Sequence, residues 1–275
     1  MKPMDLREIA LDALLESDPD RKCERVDAIW HAQAQWRIDP SATPFVTSPS
    51  ALPGRPALPR LVPPHQVPMR SVHTPLGRAA LLHAICHIEF NAINLGLDAV
   101  WRFGNMPKEF YRDWMQVAHE EADHFRMLRA ILKSMVIDGR ACEYGDFDAH
   151  DGLWQMCEKT AHDVTARMAL VPRTLEARGL DATPMIQDKL LQVPAADALA
   201  VREALNVILR DEIGHVAIGN RWYHWCCQLH QLDPVTHMQS LQLAYEAPAL
   251  KPPFNVQARK QAGFTDTELE YLGVI

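Results

Sequence analysis

Two segments of this chain place a glutamate and a histidine, three residues apart, inside the apolar stripe of a long helix. They are Glu121-x-x-His124 in "EEADHF" and Glu212-x-x-His215 in "DEIGHV". Around the first, Trp114, Val117, Ala118, Phe125, Leu128, Ile131, Leu132 and Met135 recur at helical spacing; around the second, Leu205, Ile208, Leu209, Val216, Gly219, Trp222 and Tyr223 do the same. Residues three apart share a helix face, so both pairs point where a core belongs. An earlier stretch sets Glu89 among Leu82, Ile85, Cys86, Ile93, Gly96 and Val100. A carboxylate buried without a partner is very costly, and burial alone would protonate it. No lysine lies on these stripes near the acids, so a metal ion is the economical counter-charge. A lone Glu-x-x-His is usually a solvated helix face; two of them, each centred in an apolar stripe, are far more specific.

The rest of the pattern is helical. Apolar spacing in "LREIALDALL" and "RVDAIWHAQAQW" predicts helices within residues 4–36, and alternating strand patterns are almost absent. Four long helices follow: Thr74-Pro75 to about Phe103, Asn105 to about Ile137, Asp151 to Arg178 with a kink at Pro172, and Ala195 to about His230. Between the third and fourth, "LDATPMIQDKLLQVP" reads as a connection with one short helix. Residues 37–75 are rich in proline and exclude a continuous helix. The interruptions by Phe45, Val46, Leu52, Leu58, Leu61 and Val62 favour an extended arm packed on a domain over a disordered linker. The tail reads as two or three short helices with a break at "APALKPPF". The expected fold is all-α: a four-helix bundle over 75–230, with N-terminal helices and the arm over 1–74 and a helical tail over 231–275.

A bundle of this kind needs a glutamate from the third helix as well. Glu158 and Glu176 are the candidates. From Glu89 to Glu121 is 121 − 89 = 32 residues; from Glu176 to Glu212 is 212 − 176 = 36, whereas Glu158 gives 212 − 158 = 54. Spacing therefore favours Glu176, although Arg173 and Arg178 beside it are equally consistent with a surface ion pair or with partners of a bound carboxylate. Metal-bound histidines usually donate their second ring N–H to a carboxylate, which suggests Glu120 for His215 and Asp211 for His124, as residues supporting the ligands. The alternative is ordinary surface charge. His83 and His87, one turn apart beside Glu89, are read as satisfied interface histidines rather than proton donors, and Trp101, Trp114, Trp154, Trp222 and Trp225 as core rather than an electron path.

With 275 residues the chain can build a sizeable core, and its net charge of −7 argues against a nucleic-acid surface. The six cysteines, at 23, 86, 142, 157, 226 and 227, have no metal-ribbon or disulfide-framework spacing. The opening "MKPMDLREIALDALLESDPD" lacks an apolar signal core, and no run of 18 apolar residues suggests a membrane span. The expected location is cytoplasmic.

The set Glu89, Glu121-x-x-His124, Glu176 and Glu212-x-x-His215 resembles the ferritin-like superfamily over residues 75–230. More narrowly, "HIEFNAINLGLDAVWRF", "EEADHFRMLRAIL", "YGDFDAHDGLW", "RMALVPRTLEARGLD", "RDEIGHVAIGNRWY", "PALKPPFN" and "ARKQAGF" resemble a bacterial family known as DUF455, over nearly the full length. The chain is more distantly similar to the ferritin-like tRNA hydroxylase. The resemblance implies two iron ions, or Mn/Fe or Mn/Mn pairs, with O2 as co-substrate. It implies an oxidase or hydroxylase of an unidentified organic small molecule, and leaves open a redox partner and a homodimer. Alternatives are a ferroxidase or peroxide scavenger, a tRNA-modifying hydroxylase, or a helical interaction module with a vestigial site.

Overall fold

The computed structural model describes residues 5–41 and 52–273. Phe45 and Val46 lie outside the described residues. Among the described residues the chain is all-α apart from one small hairpin, and it divides into two compact units, Met1–Gly152 and Leu153–Ile275.

The first unit is built on a helical hairpin, α3 (Pro75–Arg102) and α4 (Lys108–Ser134). Thr74 caps α3 by accepting from Gly77 N–H at 3.1 Å, and Pro75 opens its first turn. Gly96 lies against Trp114 and Ala118, while Cys86 donates to the Phe125 carbonyl at 3.6 Å. Partner numbers rise on α4 as they fall on α3, so the helices run antiparallel. A Cβ at Gly96 would come within 2.9 Å of the Trp114 carbonyl oxygen, so the absent side chain sets this close approach. One apolar stretch of α3 has the length and composition to cross a membrane, yet 78% of it is buried inside the protein. It is a core helix.

Two shorter helices, α1 (Leu6–Leu14) and α2 (Pro19–His31), pack on this hairpin. Arg7 donates from Nε and Nη2 to the Trp101 carbonyl, at 3.1 and 2.9 Å, at the negative end of α3. Lys22 is fully buried and donates to the Leu14 carbonyl at 3.0 Å, the Gly54 carbonyl at 2.9 Å, and Asn94 Oδ1. One ammonium therefore ties α1, the proline-rich arm and α3 together. The arm also pairs with residues 148–149, through Val62 N–H to the Ala149 carbonyl at 2.8 Å and an Arg60–Asp148 ion pair. Its attachment rests on backbone bonds and Lys22 more than on apolar side chains, since Leu58 is 57% exposed and Leu61 38% exposed. After α4 the chain turns through β1 (Val136–Ile137) and β2 (Arg140–Ala141), with Asp138 and Gly139 both at positive φ.

The second unit departs from the expected continuous third helix. The segment is instead α5 (Gly152–Lys159), α6 (Val164–Leu170), a π-helical turn (Val171–Glu176) and α7 (Ala177–Leu191). Asp163 restarts the helix by accepting from Thr165 and Ala166 N–H groups, an alternative to continuing the ladder. Pro172 has no N–H to give, and the backbone there widens to a π turn. Thr174 Oγ1 serves the Ala169 carbonyl at 2.8 Å. The expected end at Gly179 is also passed. The helix runs on through Pro184, and Asn255 Nδ2 donates at 3.2 Å to the Leu180 carbonyl that Pro184 leaves without its usual donor.

Against this segment lies α8 (Ala196–Leu229), antiparallel to α7. Gln187 reaches Asn206 at 2.7 Å, and Pro172 sits at Gly219, where a Cβ would approach the proline ring to 2.6 Å. The tail supplies α9 (Pro234–Ala244), α10 (Val256–Gln261) and α11 (Asp266–Tyr271). Ala258, Ala262, Phe264 and Leu269 pack with Ala177, Leu180 and Val216 in one buried cluster.

Substitution Lys22→Met should destabilise the protein by about 3 kcal/mol in urea or thermal unfolding, because three buried acceptors lose their donor. Burial drives the Glu268 carboxyl upward, but His224 and Arg173 outweigh it and hold the group at about 2. A depressed carboxyl contributes stability above its ordinary range and loses it as pH falls toward its folded value. The melting temperature of wild type should therefore exceed that of Glu268→Gln at pH 7, and the gap should narrow between pH 4.5 and pH 2.

Candidate metal centre

In the first unit, Glu89 projects from the middle of α3, and Glu121 and His124 project from α4 opposite it. All three are buried, at 5%, 1% and 2% exposure. His124 Nδ1 lies 3.3 Å from Glu121 Oε2 and 3.4 Å from Glu89 Oε2. One donor atom from each residue lies within 4.8 Å of the others, a grouping that could hold a metal ion. Burial and the neighbouring Glu121 carboxylate push the Glu89 carboxyl well above its usual range. Burial disfavours the charged imidazole of His124, yet its bonds to Glu121 and Glu89 prevail and lift it to about 11. Like charges this close either share protons or accept a cation. Carboxylate oxygen with imidazole nitrogen suits Fe, Mn or Zn far better than a soft ion.

The second unit carries a matching pair. Glu212 and His215 are buried on α8, with His215 Nδ1 at 3.3 Å from Glu212 Oε2. Glu176 closes the π turn and is 7% exposed, so it is no surface ion-pair residue. Gly179, one turn beyond it on α7, faces Glu212: a Cβ there would lie 3.7 Å from Glu212 Cγ. The rival Glu158 is exposed on α5 and accepts from Trp154 Nε1 at 3.1 Å.

The residues expected to support the ligands have local partners. Glu120 accepts from Gln116 at 2.9 Å, and Asp211 from Arg210 at 2.8 and 3.0 Å. His83 and His87 behave as interface histidines. His83 Nε2 accepts from Gly145 N–H at 2.9 Å, and His87 Nδ1 pairs with Tyr144 Oη at 2.8 Å. Burial lowers His83 to about 4 and His87 to about 3, so both are neutral near pH 7. His119 pairs with Asp27 at 3.0 Å and His162 with Tyr245 at 3.2 Å. Trp101, Trp114, Trp154 and Trp222 are core residues, and all six cysteines are free and buried.

Sequence reasoning missed the two buried ion pairs that flank Glu176. Arg173 pairs with Glu268, and Arg259 with Asp181. No periodicity links positions some eighty or ninety residues apart in sequence. The one available signal was an arginine beside the π-turn proline that fell on a buried face.

An all-helical chain with buried carboxylate and histidine groups able to hold a metal ion defines the class. The chain belongs to the family described as "Protein of unknown function (DUF455)", whose model matches residues 15–270. It is similar to an uncharacterised protein of Haemophilus influenzae, 46% identical over 270 residues, covering 94% of this chain and 91% of that protein. No solved structure matches it.

Because a metal ligand must be deprotonated, loading an ion at neutral pH should expel protons from the Glu89–Glu121–His124 group. Calorimetry in buffers of different ionisation enthalpy should detect the release, and metal affinity should rise from pH 5 to pH 8. His83→Ala should leave metal content unchanged.

Proposed function

We propose that this protein is a dinuclear metal carboxylate protein that holds two iron ions and uses O2 to oxidise or hydroxylate an organic small molecule. The ligands are Glu89, Glu121, His124, Glu176, Glu212 and His215. The observation that carries the reading is the buried Glu89–Glu121–His124 group, repeated in type by Glu212 and His215 in the second unit. In this reading the six ligands make a ferritin-like dinuclear set, whose four carboxylates carry four negative charges that two divalent ions would neutralise.

Held by these residues, a pair of ferrous ions would supply the redox chemistry for O2, which side chains rarely perform alone. The protein's own part is threefold. Glu89 and Glu121 hold charge at fixed positions from opposite helices. His124 and His215 present ring nitrogens one turn from a carboxylate. The apolar stripes around them, Phe125 and Leu128 on α4 and Val216 and Trp222 on α8, exclude water. Glu120 and Asp211 orient the histidine rings. A cytoplasmic location, a redox partner and a small-molecule substrate belong to the same proposal. Mn/Fe and Mn/Mn pairs would use the same donors.

Anaerobic reconstitution with Fe(II) followed by O2 should give two irons per chain, O2 uptake and a ferric absorption band. The absence of both O2 uptake and the ferric band would overturn the reading. Glu121→Ala and Glu212→Ala should each lose at least one ion, and retention of two tight ions by both variants contradicts the assignment. Uptake that stores ferric iron in a large assembly would identify a ferroxidase instead.

A further inference from the structure

The tail brackets Glu176. Arg173, three residues before it in the π turn, is 3% exposed; it pairs with Glu268 of α11 and donates from Nε to Asn220 Oδ1 on α8 at 2.5 Å. Asn220 Nδ2 in turn donates to the Ala262 carbonyl at 2.7 Å. Asp181, five residues after Glu176, accepts from fully buried Arg259 of α10 through Nε at 3.0 Å and Nη2 at 2.6 Å, and from Asn255 N–H at 2.8 Å. The polarity is reciprocal: a helix cation meets a tail anion before Glu176, and a helix anion meets a tail cation after it. Both guanidinium groups stack on one ring, Phe264, with centroid distances of 4.8 Å for Arg173 and 5.2 Å for Arg259. The sequence blocks "EARGLD" and "ARKQAGF" hold the two sides of the second pair, Asp181 and Arg259, and the second block also holds Phe264.

Docking a tail needs no buried charge, since apolar residues of similar volume hold as well or better. Charged pairs at fixed positions specify a register instead. Register matters here because a π turn holds one residue more than an α turn. Reversion to α-helical winding would rotate everything downstream by about 100° relative to what precedes it. Glu176 sits at that junction.

We propose that the C-terminal tail is a positioning element for the metal centre: its Glu268–Arg173 and Arg259–Asp181 pairs hold the π turn so that Glu176 stays aimed at the ion. Residues 254–272 are in this sense part of the site. The proposal rests on the reading of Glu176 as a ligand.

The test uses the full chain and Co(II) alone as probe, with Glu268→Gln, the conservative Arg259→Lys, and Glu176→Ala as reference. Wild type should bind two Co(II). Both tail variants should keep one site at wild-type affinity and weaken the other by about tenfold or more, as residues supporting a metal ligand do, with the d–d spectrum changing as in Glu176→Ala. In the metal-free protein, amide exchange over 171–181 should accelerate while α3 and α4 are unaffected. Where Glu268→Gln loses helical content, Arg259→Lys decides. Two sites within about twofold of wild type in the tail variants overturn the positioning role and leave the dinuclear reading intact. Two unchanged sites in Glu176→Ala overturn it by removing Glu176 from the ligands. Fewer than two ions in wild type sink both.

Discussion

Anionic carboxylates gathered in an apolar interior are the constraint on which the rest of this structure depends. Glu89 and Glu121 come from opposite helices and meet at His124, with almost no water contact. Coulomb repulsion in such a medium is several times what it is in water, so the group stands only with shared protons or a cation. Its helices must be rigid enough to hold it. The close approach at Gly96, the Arg7 clamp on the end of α3 and the three bonds of Lys22 supply that rigidity.

The second unit meets the same demand by other means. Where α3 is one uninterrupted helix, its counterpart is broken at Asp163 and widened at Pro172. A widened helix is a weak place to hold a buried glutamate, and the surrounding chemistry is correspondingly strong. Gly219 makes room for the proline ring, Thr174 serves a carbonyl, and Asn255 serves the one Pro184 abandons. The tail's arginine and glutamate then close the turn on both sides. Backbone irregularity and buried charge occur together here, and each explains the other: the irregular turn aims Glu176, and the ion pairs stop it from relaxing.

Much of the fold was legible in the residues. The long helices α3, α4 and α8 follow from apolar periodicity, with Thr74 and Pro75 marking the start of α3. Glu89, Glu121, His124, Glu212 and His215 stood out as polar residues on apolar stripes, and all five are buried. The third segment was read too simply. A proline inside a helical pattern predicts disruption but not its form, because kink, break and π turn differ in which carbonyls find new donors. Of those donors Thr174 lies in the turn itself, and Asn255 comes from the tail, which only the tertiary structure brings there.

The residues alone were enough for the helical class and for the buried glutamates and histidines that could hold a metal ion, because helix period and the cost of buried charge act locally and need no knowledge of neighbours. Tertiary structure decided what lies opposite what. It alone placed Glu89 against His124, threaded Lys22 between three carbonyl-type oxygens, and joined Arg173 to Glu268 and Arg259 to Asp181. Such pairings are separated by tens of residues along the chain, and only packing geometry, not spacing, selects them.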